Sequence, residues 1–343
     1  MFPLSLWPIL TIPASLSKLA LAQFWMESGR MSEQQDVYTR VTNKIIADLE
    51  RGNLTWLQPW RAGHAAGPVS RPLRASGERY RGINVLMLWA ASMEKGYEAP
   101  IWMTFKQASK LCAHVRKGEK GSLVVFANTF KKKVQDESGE EEEKEILFMK
   151  GYTVFNVEQI EGLPAHYYAR VEPLHTTALE RDESAERFFA ATGARINHGG
   201  SRAFYRITDD FVQMPEMQTF RDAESYYATL AHEVTHWTRH PSRLDRDFGR
   251  KRWGDEGYAT EELVAEIGAA FLCADIGITA EPREDHAAYI ASWLKALKED
   301  KKMIFVAASH AQKAVDLLHS HQPVRHDPVA QQGPSFSTHA HGD

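Results

Sequence analysis

The chain of 343 residues is long enough for two ordinary domains, and its 43% apolar and 25% charged content is that of an average globular protein. Its net charge of −4 does not by itself point to a polyanion-binding protein. Cys112 and Cys273 are too few and too far apart for a disulfide framework, so a reducing, cytoplasmic setting is expected.

Met1 to Ala22 is apolar but interrupted by Pro3, Pro8 and Pro13, and no basic residue precedes it. It is too short and broken to span a membrane as a helix, so no membrane partner is expected. Leu19-Ala20-Leu21-Ala22 resembles a signal-peptidase site. Residues 1–30 are read as an extension ahead of a natural start at Met31, a leader peptide being the alternative. Val37, Val41, Ile45, Ile46 and Leu49 then recur at helical spacing until Arg51-Gly52-Asn53. A loop is expected through Pro72, followed by a helix from Tyr80 to Lys95 closed by Gly96. Thr104-Phe105-Lys106-Gln107 is a capping box opening a short helix to about Val115. The β-branched and aromatic runs Leu123–Phe130 and Ile146–Phe155 predict a hairpin with an acidic tip at Asp136–Glu145. Gly162-Leu163-Pro164 reads as a linker, closing a first domain over 31–165.

Charge is segregated in this half. From Arg51 to Lys133 there are 15 Lys/Arg against 4 Asp/Glu, a local balance of +11. Aromatics stand beside bases or glycines, and a basic loop surrounds Gly118. A cationic groove with aromatic faces is what single-stranded nucleic acid requires. The candidates are Trp56, Trp60, Arg61, Arg79, Tyr80, Arg81, Lys106, Arg116, Lys117 and Lys120. Trp89, inside an apolar run, reads as core, and Lys131-Lys132-Lys133 reads equally well as a solvated hairpin end.

Helix is expected again over Thr177 to Thr192 and a strand over Ala203 to Ile207. From Phe220 a helical period carries His232-Glu233-Val234-Thr235-His236, an H-E-x-x-H, and Pro241 ends it. Imidazoles four residues apart share one helical face and can reach a single Zn²⁺, with Glu233 placed as general base. Thr260 is the expected N-cap of the next helix, whose Glu262 and Glu266 lie one turn apart. Glu262 is read as third ligand and Glu266 as the carboxylate behind a ligand imidazole, though the two can be exchanged. His240 lies about 12 Å along the axis from His232, too far to share the ion. Arg239 and Ser242 occupy the positions where a metzincin needs glycine and histidine. Glu284 to His319 reads as largely helical, with Tyr289 or His286 as oxyanion candidates. The second domain is placed at 172–320 and a disordered tail at 321–343.

The ordered blocks Trp56-x-x-x-Trp60, Tyr80-Arg81-Gly82-Ile83-Asn84, Trp102 to Ala108, Val115 to Gly121, Tyr152 to Gln159, Tyr227 to Glu233, Arg243-Leu244-Asp245-Arg246, Glu261 to Glu266 and Ala287 to Leu294 resemble the ArdC-type antirestriction proteins of conjugative plasmids. The basic half is also similar to the N-terminal domain of plasmid TraC-type primases. Arg239 departs from the glycine usual in relatives, and residues 1–30 have no counterpart. The resemblance implies an α+β chain: a mixed helix and β-hairpin domain that binds single-stranded DNA, then a mainly helical zincin-like metallopeptidase domain with a small sheet. It further implies antirestriction activity, zinc, and a protein or peptide substrate such as a restriction component. A non-catalytic DNA-binding protein with a structural metal, or a primase-accessory DNA-transfer factor, are the alternatives.

Overall fold

The computed structural model describes residues 37–52, 70–135, 141–168, 178–249, 256–278 and 286–323. The proposed extension over 1–30, Trp56, Trp60, Arg61 and the tail beyond 323 lie outside them. Among the described residues no helix is long and apolar enough to cross a membrane.

The first helix, α1, covers 37–50 and buries Val37, Val41, Ile45, Ile46 and Leu49. Strand β1 (Leu73–Arg74) leads to helix α2, which spans Ile83–Lys95 rather than starting at Tyr80. Gly82, at φ 55°, breaks the chain direction ahead of α2, and Gly96 ends the helix in the left-handed conformation. Strand β2 (Ile101–Met103) precedes α3 (Phe105–Lys110), whose capping box forms as the sequence predicts: Thr104 Oγ1 accepts from the Gln107 N–H at 3.2 Å and Gln107 Oε1 accepts from the Thr104 N–H at 2.8 Å. The helix stops at Lys110, short of Val115, because Cys112 adopts φ 57° and the chain then enters β3 (His114–Val115).

The hairpin is longer than its two apolar runs suggest. Strands β4 (Ser122–Gln135) and β5 (Glu141–Asn156) pair continuously, and much of the predicted acidic tip is strand, with Lys131 opposite Glu145 and Lys133 opposite Glu143. The backbone pairing thus runs on beyond the two apolar runs, which hydrophobic patterning alone does not reveal. Strand β4 is the outer member of a sheet ordered β1-β2-β5-β4. Asn84 on α2 holds it there, donating to the Val125 carbonyl at 2.8 Å and accepting from its N–H at 2.7 Å. Strand β6 (Ile160–Glu161) pairs with β3. Leu163, expected in a linker, is buried in a second apolar cluster with Met103 and Val157.

Helix α4 (Ala178–Ala191) leads into a three-stranded sheet ordered β7-β9-β8, comprising Ile196–His198, Phe204–Arg206 and Phe211–Met214. Only β8 is legible in the sequence. Helix α5 (Ala223–Trp237) starts after Phe220, at an Asp222 N-cap that accepts from the Ser225 N–H at 2.7 Å. Helix α6 (Glu256–Ile276) begins upstream of Thr260, which is an interior, buried residue rather than a cap. It is apolar on nearly every side because α5, α7 and α8 surround it. The predicted late helix is two, α7 (His286–Glu299) and α8 (Met303–Ser320), separated by a turn in which Asp300 accepts from the Lys302 N–H.

One buried apolar cluster runs through both halves, from Val37 on α1 to Leu318 on α8. Its polar seam is the joint between the Arg71–Gly82 segment and helices α6 and α8. Buried Arg71 donates to Asp275 at 2.9 Å and Gln312 at 2.8 Å, with its guanidinium 4.4 Å from the Phe271 ring centroid. Arg79 also donates to Asp275, Arg81 pairs with Asp316, and the Gly82 N–H reaches Gln312.

Helices α5 and α6 approach so closely that a Cβ on Gly268 would lie 2.5 Å from Thr235 Cγ2. Thr235 cannot swing away cheaply, because it is β-branched and its hydroxyl donates to the Ala231 carbonyl. Gly268→Ala is therefore expected to destabilise the protein by about 1–3 kcal/mol in urea denaturation, despite the ~1 kcal/mol helix-propensity gain. Pairing it with Thr235→Ser, which removes Cγ2, restores most of the loss; if the single variant is as stable as the parent, the helices are not locked at this contact.

Candidate metal centre

Helix α5 carries His232 and His236 on the face turned toward α6, with both side chains buried. Their Nε2 atoms are 3.1 Å apart, and the Glu262 carboxylate lies 3.6 Å from each of them. Four-coordinate zinc with bonds of about 2.0–2.1 Å has donor–donor edges of roughly 3.3 Å, so this triangle has the dimensions of one face of such a site. Among the described residues, His232, His236 and Glu262 form the group whose ligand atoms all lie within 4.8 Å of one another.

The opposite ring nitrogens face carboxylates. His232 Nδ1 lies 3.1 Å from Glu266 Oε1 and His236 Nδ1 lies 3.0 Å from Glu261 Oε1. A carboxylate at Nδ1 fixes the tautomer and ring orientation that leave the Nε2 lone pair toward a metal. The pattern of three glutamates on α6 thus has a geometric meaning: Glu262 faces the paired Nε2 atoms, while Glu261 and Glu266 stand behind one ring each.

Glu261 and its partner Arg246 are the residues that sequence reasoning missed. Arg246 Nε and Nη2 each donate to Glu261 at 2.7 Å, Nη1 donates to Thr238 Oγ1 at 3.0 Å and Nη2 to the Thr235 carbonyl at 3.1 Å. Arg243 returns to the same helix end, donating to the Trp237 carbonyl at 2.8 Å and lying 3.7 Å from its ring centroid. The Arg243-Leu244-Asp245-Arg246 block therefore caps the carbonyl end of α5 with two guanidiniums, where the helix dipole favours cations. The spacing Arg-x-x-Arg just after the motif helix was the available clue.

The electrostatics follow from this burial. For His236, burial alone favours the neutral ring, but Glu262 and Glu261 outweigh it and hold the pKa up at about 10. Burial likewise opposes ionisation of Glu261, yet Arg246 and His236 outweigh it and keep its pKa at about 2. Burial resists charge on Glu262 as well, and the two imidazoles nonetheless hold it well below the usual carboxylate range. These groups form a desolvated pocket with excess negative charge, in which a proton on His236 takes the place of a cation; that donor set fits a divalent metal. Glu233 is buried on α5 beside His232. The backbone of His286 and Tyr289 is at the start of α7, and their side chains lie outside the described residues.

The nucleic-acid candidates among the described residues scatter. Tyr80 is buried, with the Arg74 guanidinium 5.5 Å from its ring, and Trp89 is core. Arg79 and Arg81 pair with Asp275 and Asp316 in the joint, and Arg116 pairs with Glu119 at 2.8 Å. Lys106, Lys117 and Lys120 are exposed.

A histidine pair on one helix, closed by a carboxylate from the next, is the construction of zincin metallopeptidases. Residues 183–310 match the family described as zincin-like metallopeptidase (MPTase-PolyVal), and residues 35–155 match the N-terminal domain of anti-restriction factor ArdC. The metal-free crystal structure of the antirestriction protein ArdC from plasmid R388 is 49% identical, with a TM-score of 0.70, over 84% of this chain and 98% of that one. Its Mn(II)-bound form is 47% identical, with a TM-score of 0.68 and the same coverage. The uncharacterized protein y4eC of Sinorhizobium fredii (strain NBRC 101917 / NGR234) is 46% identical over 84% of this chain and 92% of its own length. DNA primase TraC of Escherichia coli is 40% identical over 82% of this chain, which spans only 27% of the primase. The chain belongs to the ArdC family.

Removing Arg246 leaves a buried carboxylate without its main partner, so Arg246→Met is expected to cost about 3–5 kcal/mol in denaturant unfolding. Metal affinity falls with it, by about 10–100-fold, through the lost support of His236. Glu261 is ionised in the folded state down to about pH 2, against 4.5 for an unperturbed group. Its contribution to stability is therefore complete above about pH 4.5 and lost as pH falls from there toward 2. Arg246→Met should flatten that acid limb in unfolding curves of the metal-free protein; an unchanged limb refutes the assignment.

Proposed function

We propose that this protein binds single-stranded DNA through its basic N-terminal half and shields the DNA of a mobile element from restriction. Its C-terminal half, bounded near residue 172, is read as a Zn²⁺-dependent peptidase acting on a protein such as a restriction component. The ArdC and TraC relatives support the first half. The second is carried by one observation, the Glu262 carboxylate 3.6 Å from both Nε2 atoms of a histidine pair whose Nδ1 atoms face carboxylates.

His232, His236 and Glu262 would hold Zn²⁺. When bound there, the ion supplies Lewis-acid polarisation and lowers the pKa of a coordinated water toward about 7. Glu261 accepts the Nδ1 hydrogen of His236, and the Glu266 carboxylate stands 3.1 Å from Nδ1 of His232, so each ring has a carboxylate behind it. Glu233, about 100° around the helix from His232, accepts the proton of the attacking water and passes it to the leaving amine. Tyr289 or His286 would steady the oxyanion.

A second reading, in which the metal only holds the fold, is favoured by the depth of the site, since His232, Glu233 and Glu266 are each at most 4% exposed. Glu233→Gln separates the two. If the site is catalytic, the variant retains stoichiometric Zn²⁺ and DNA binding but loses hydrolysis by about 10²–10⁴-fold in a peptide-library digest. If the metal is structural, Glu233→Gln leaves antirestriction intact while His232→Ala unfolds the C-terminal half.

A further inference from the structure

Of the aromatics that the sequence suggests for base stacking, Tyr80 is buried and Trp56 and Trp60 lie outside the described residues, whereas two aromatics of the hairpin keep large exposed areas. Phe126 on β4 and Tyr152 on β5 are 46% and 42% exposed. Their ring centroids are 6.4 Å apart at an interplanar angle of 83°. Phe126 is opposite Lys150 in the ladder and Val124 is opposite Tyr152, so the alternation puts all four on one face of the sheet. Val124 and Val154 bury their part of that face in the core. The aromatic pair therefore stands where the face leaves the core, on a hairpin whose outer strand is an edge of the sheet.

We propose that this corner is a base-stacking site for single-stranded DNA, with Lys150 as its phosphate contact. The inference rests on the reading of the N-terminal half as a single-strand binder and names where a base is held. Two rings at nearly a right angle form a recess in which a base lies flat on one face and meets the other ring with its edge. Lys150 Nζ is 5.5 Å from the Tyr152 ring centroid, so a cation sits beside the stacking surface. Lys120, just ahead of β4, is exposed, and the Lys95 ammonium reaches its carbonyl at 3.4 Å, which places two further cations at the foot of the hairpin. Every base offers a π-face, so such a site is tolerant of sequence. A duplex keeps its bases stacked inside and cannot fill the recess, so the corner selects single strands.

The test titrates the full chain with fluorescein-labelled oligo-dT and with the matching duplex, following anisotropy at several salt concentrations. Tyr152→Ala and Phe126→Ala are each expected to weaken oligo-dT binding by about tenfold, Tyr152→Phe to bind like the parent, and Lys150→Ala to reduce the salt slope by about one. Thermal melts of the same variants report folding, and both rings are exposed enough that melting should barely change. If the parent binds oligo-dT and the alanine variants bind equally well, the corner is wrong while single-strand binding stands. If the parent binds neither DNA, both fall together. Loss of self-association in sedimentation for Tyr152→Ala, with DNA binding unchanged, would assign the face to a second copy of the chain and overturn the proposal.

Discussion

Compensation of buried charge between α5 and α6 governs the C-terminal half. Two helices that touch at Gly268 and Thr235 carry between them the buried Glu233, Glu261 and Glu266 and the half-buried Glu262, set against two imidazoles and against Arg246 from the segment after α5. Formally that is four negative charges and one fixed positive. Desolvation of unpaired charge is costly, so such a cluster persists only with further cations. Arg246 neutralises Glu261, and the remaining excess draws a proton onto His236, whose pKa stands near 10. A divalent ion among His232, His236 and Glu262 answers the same electrostatic need with better geometry, because all three donors already face one another. The contacts that stabilise the fold here are therefore the same ones that would bind a metal.

What could be read from the sequence follows the range of each interaction. The Thr104–Gln107 box, the Gly96 stop and the paired histidines depend on residues within one or two turns, and their patterns are visible as spacing. Glu261 gave no such sign: three glutamates in six residues fit either an exposed acidic face or a buried network, and only the position of α5 decides which faces what. The start of α6 was misplaced for a related reason. Thr260 is a good cap in isolation, but Tyr258 and Ala259 are already buried against neighbours, and tertiary burial extends the helix past the local signal. The acidic stretch of the hairpin reads as loop by composition, yet its described part, 141–145, is strand paired with β4.

The Arg79-Tyr80-Arg81-Gly82 block shows the limit most clearly. Bases flanking an aromatic and a glycine are what a phosphate-binding loop would have, and composition cannot distinguish a phosphate from an aspartate nearly 200 residues away. Asp275 accepts from both Arg71 and Arg79 and lies 3.0 Å from His319 Nε2, and it is almost fully buried. The block is a fastening between halves, and among the described residues large exposed aromatics stand elsewhere: Phe105 at the head of α3, Phe126 and Tyr152 on the hairpin, and Tyr168 after β6.

Helix α6 is consequently held at two places by ionic contacts of different kinds. Its earlier turns present Glu261, Glu262 and Glu266 to α5, and its last turn presents Asp275 to the N-terminal half. Nine residues separate Glu266 from Asp275, about 13.5 Å of helix at 1.5 Å per residue. A helix packed on nearly all sides cannot rotate or slide without breaking one set of contacts or the other, since close-packed cores do not deform continuously. Buried pairs such as Arg71–Asp275 add little net stability over an apolar replacement, but they penalise every misaligned arrangement heavily. Here the alignment they enforce is the one that keeps a carboxylate of α6 opposite two imidazoles of α5, so the joint between the halves and the candidate metal centre share a single structural element.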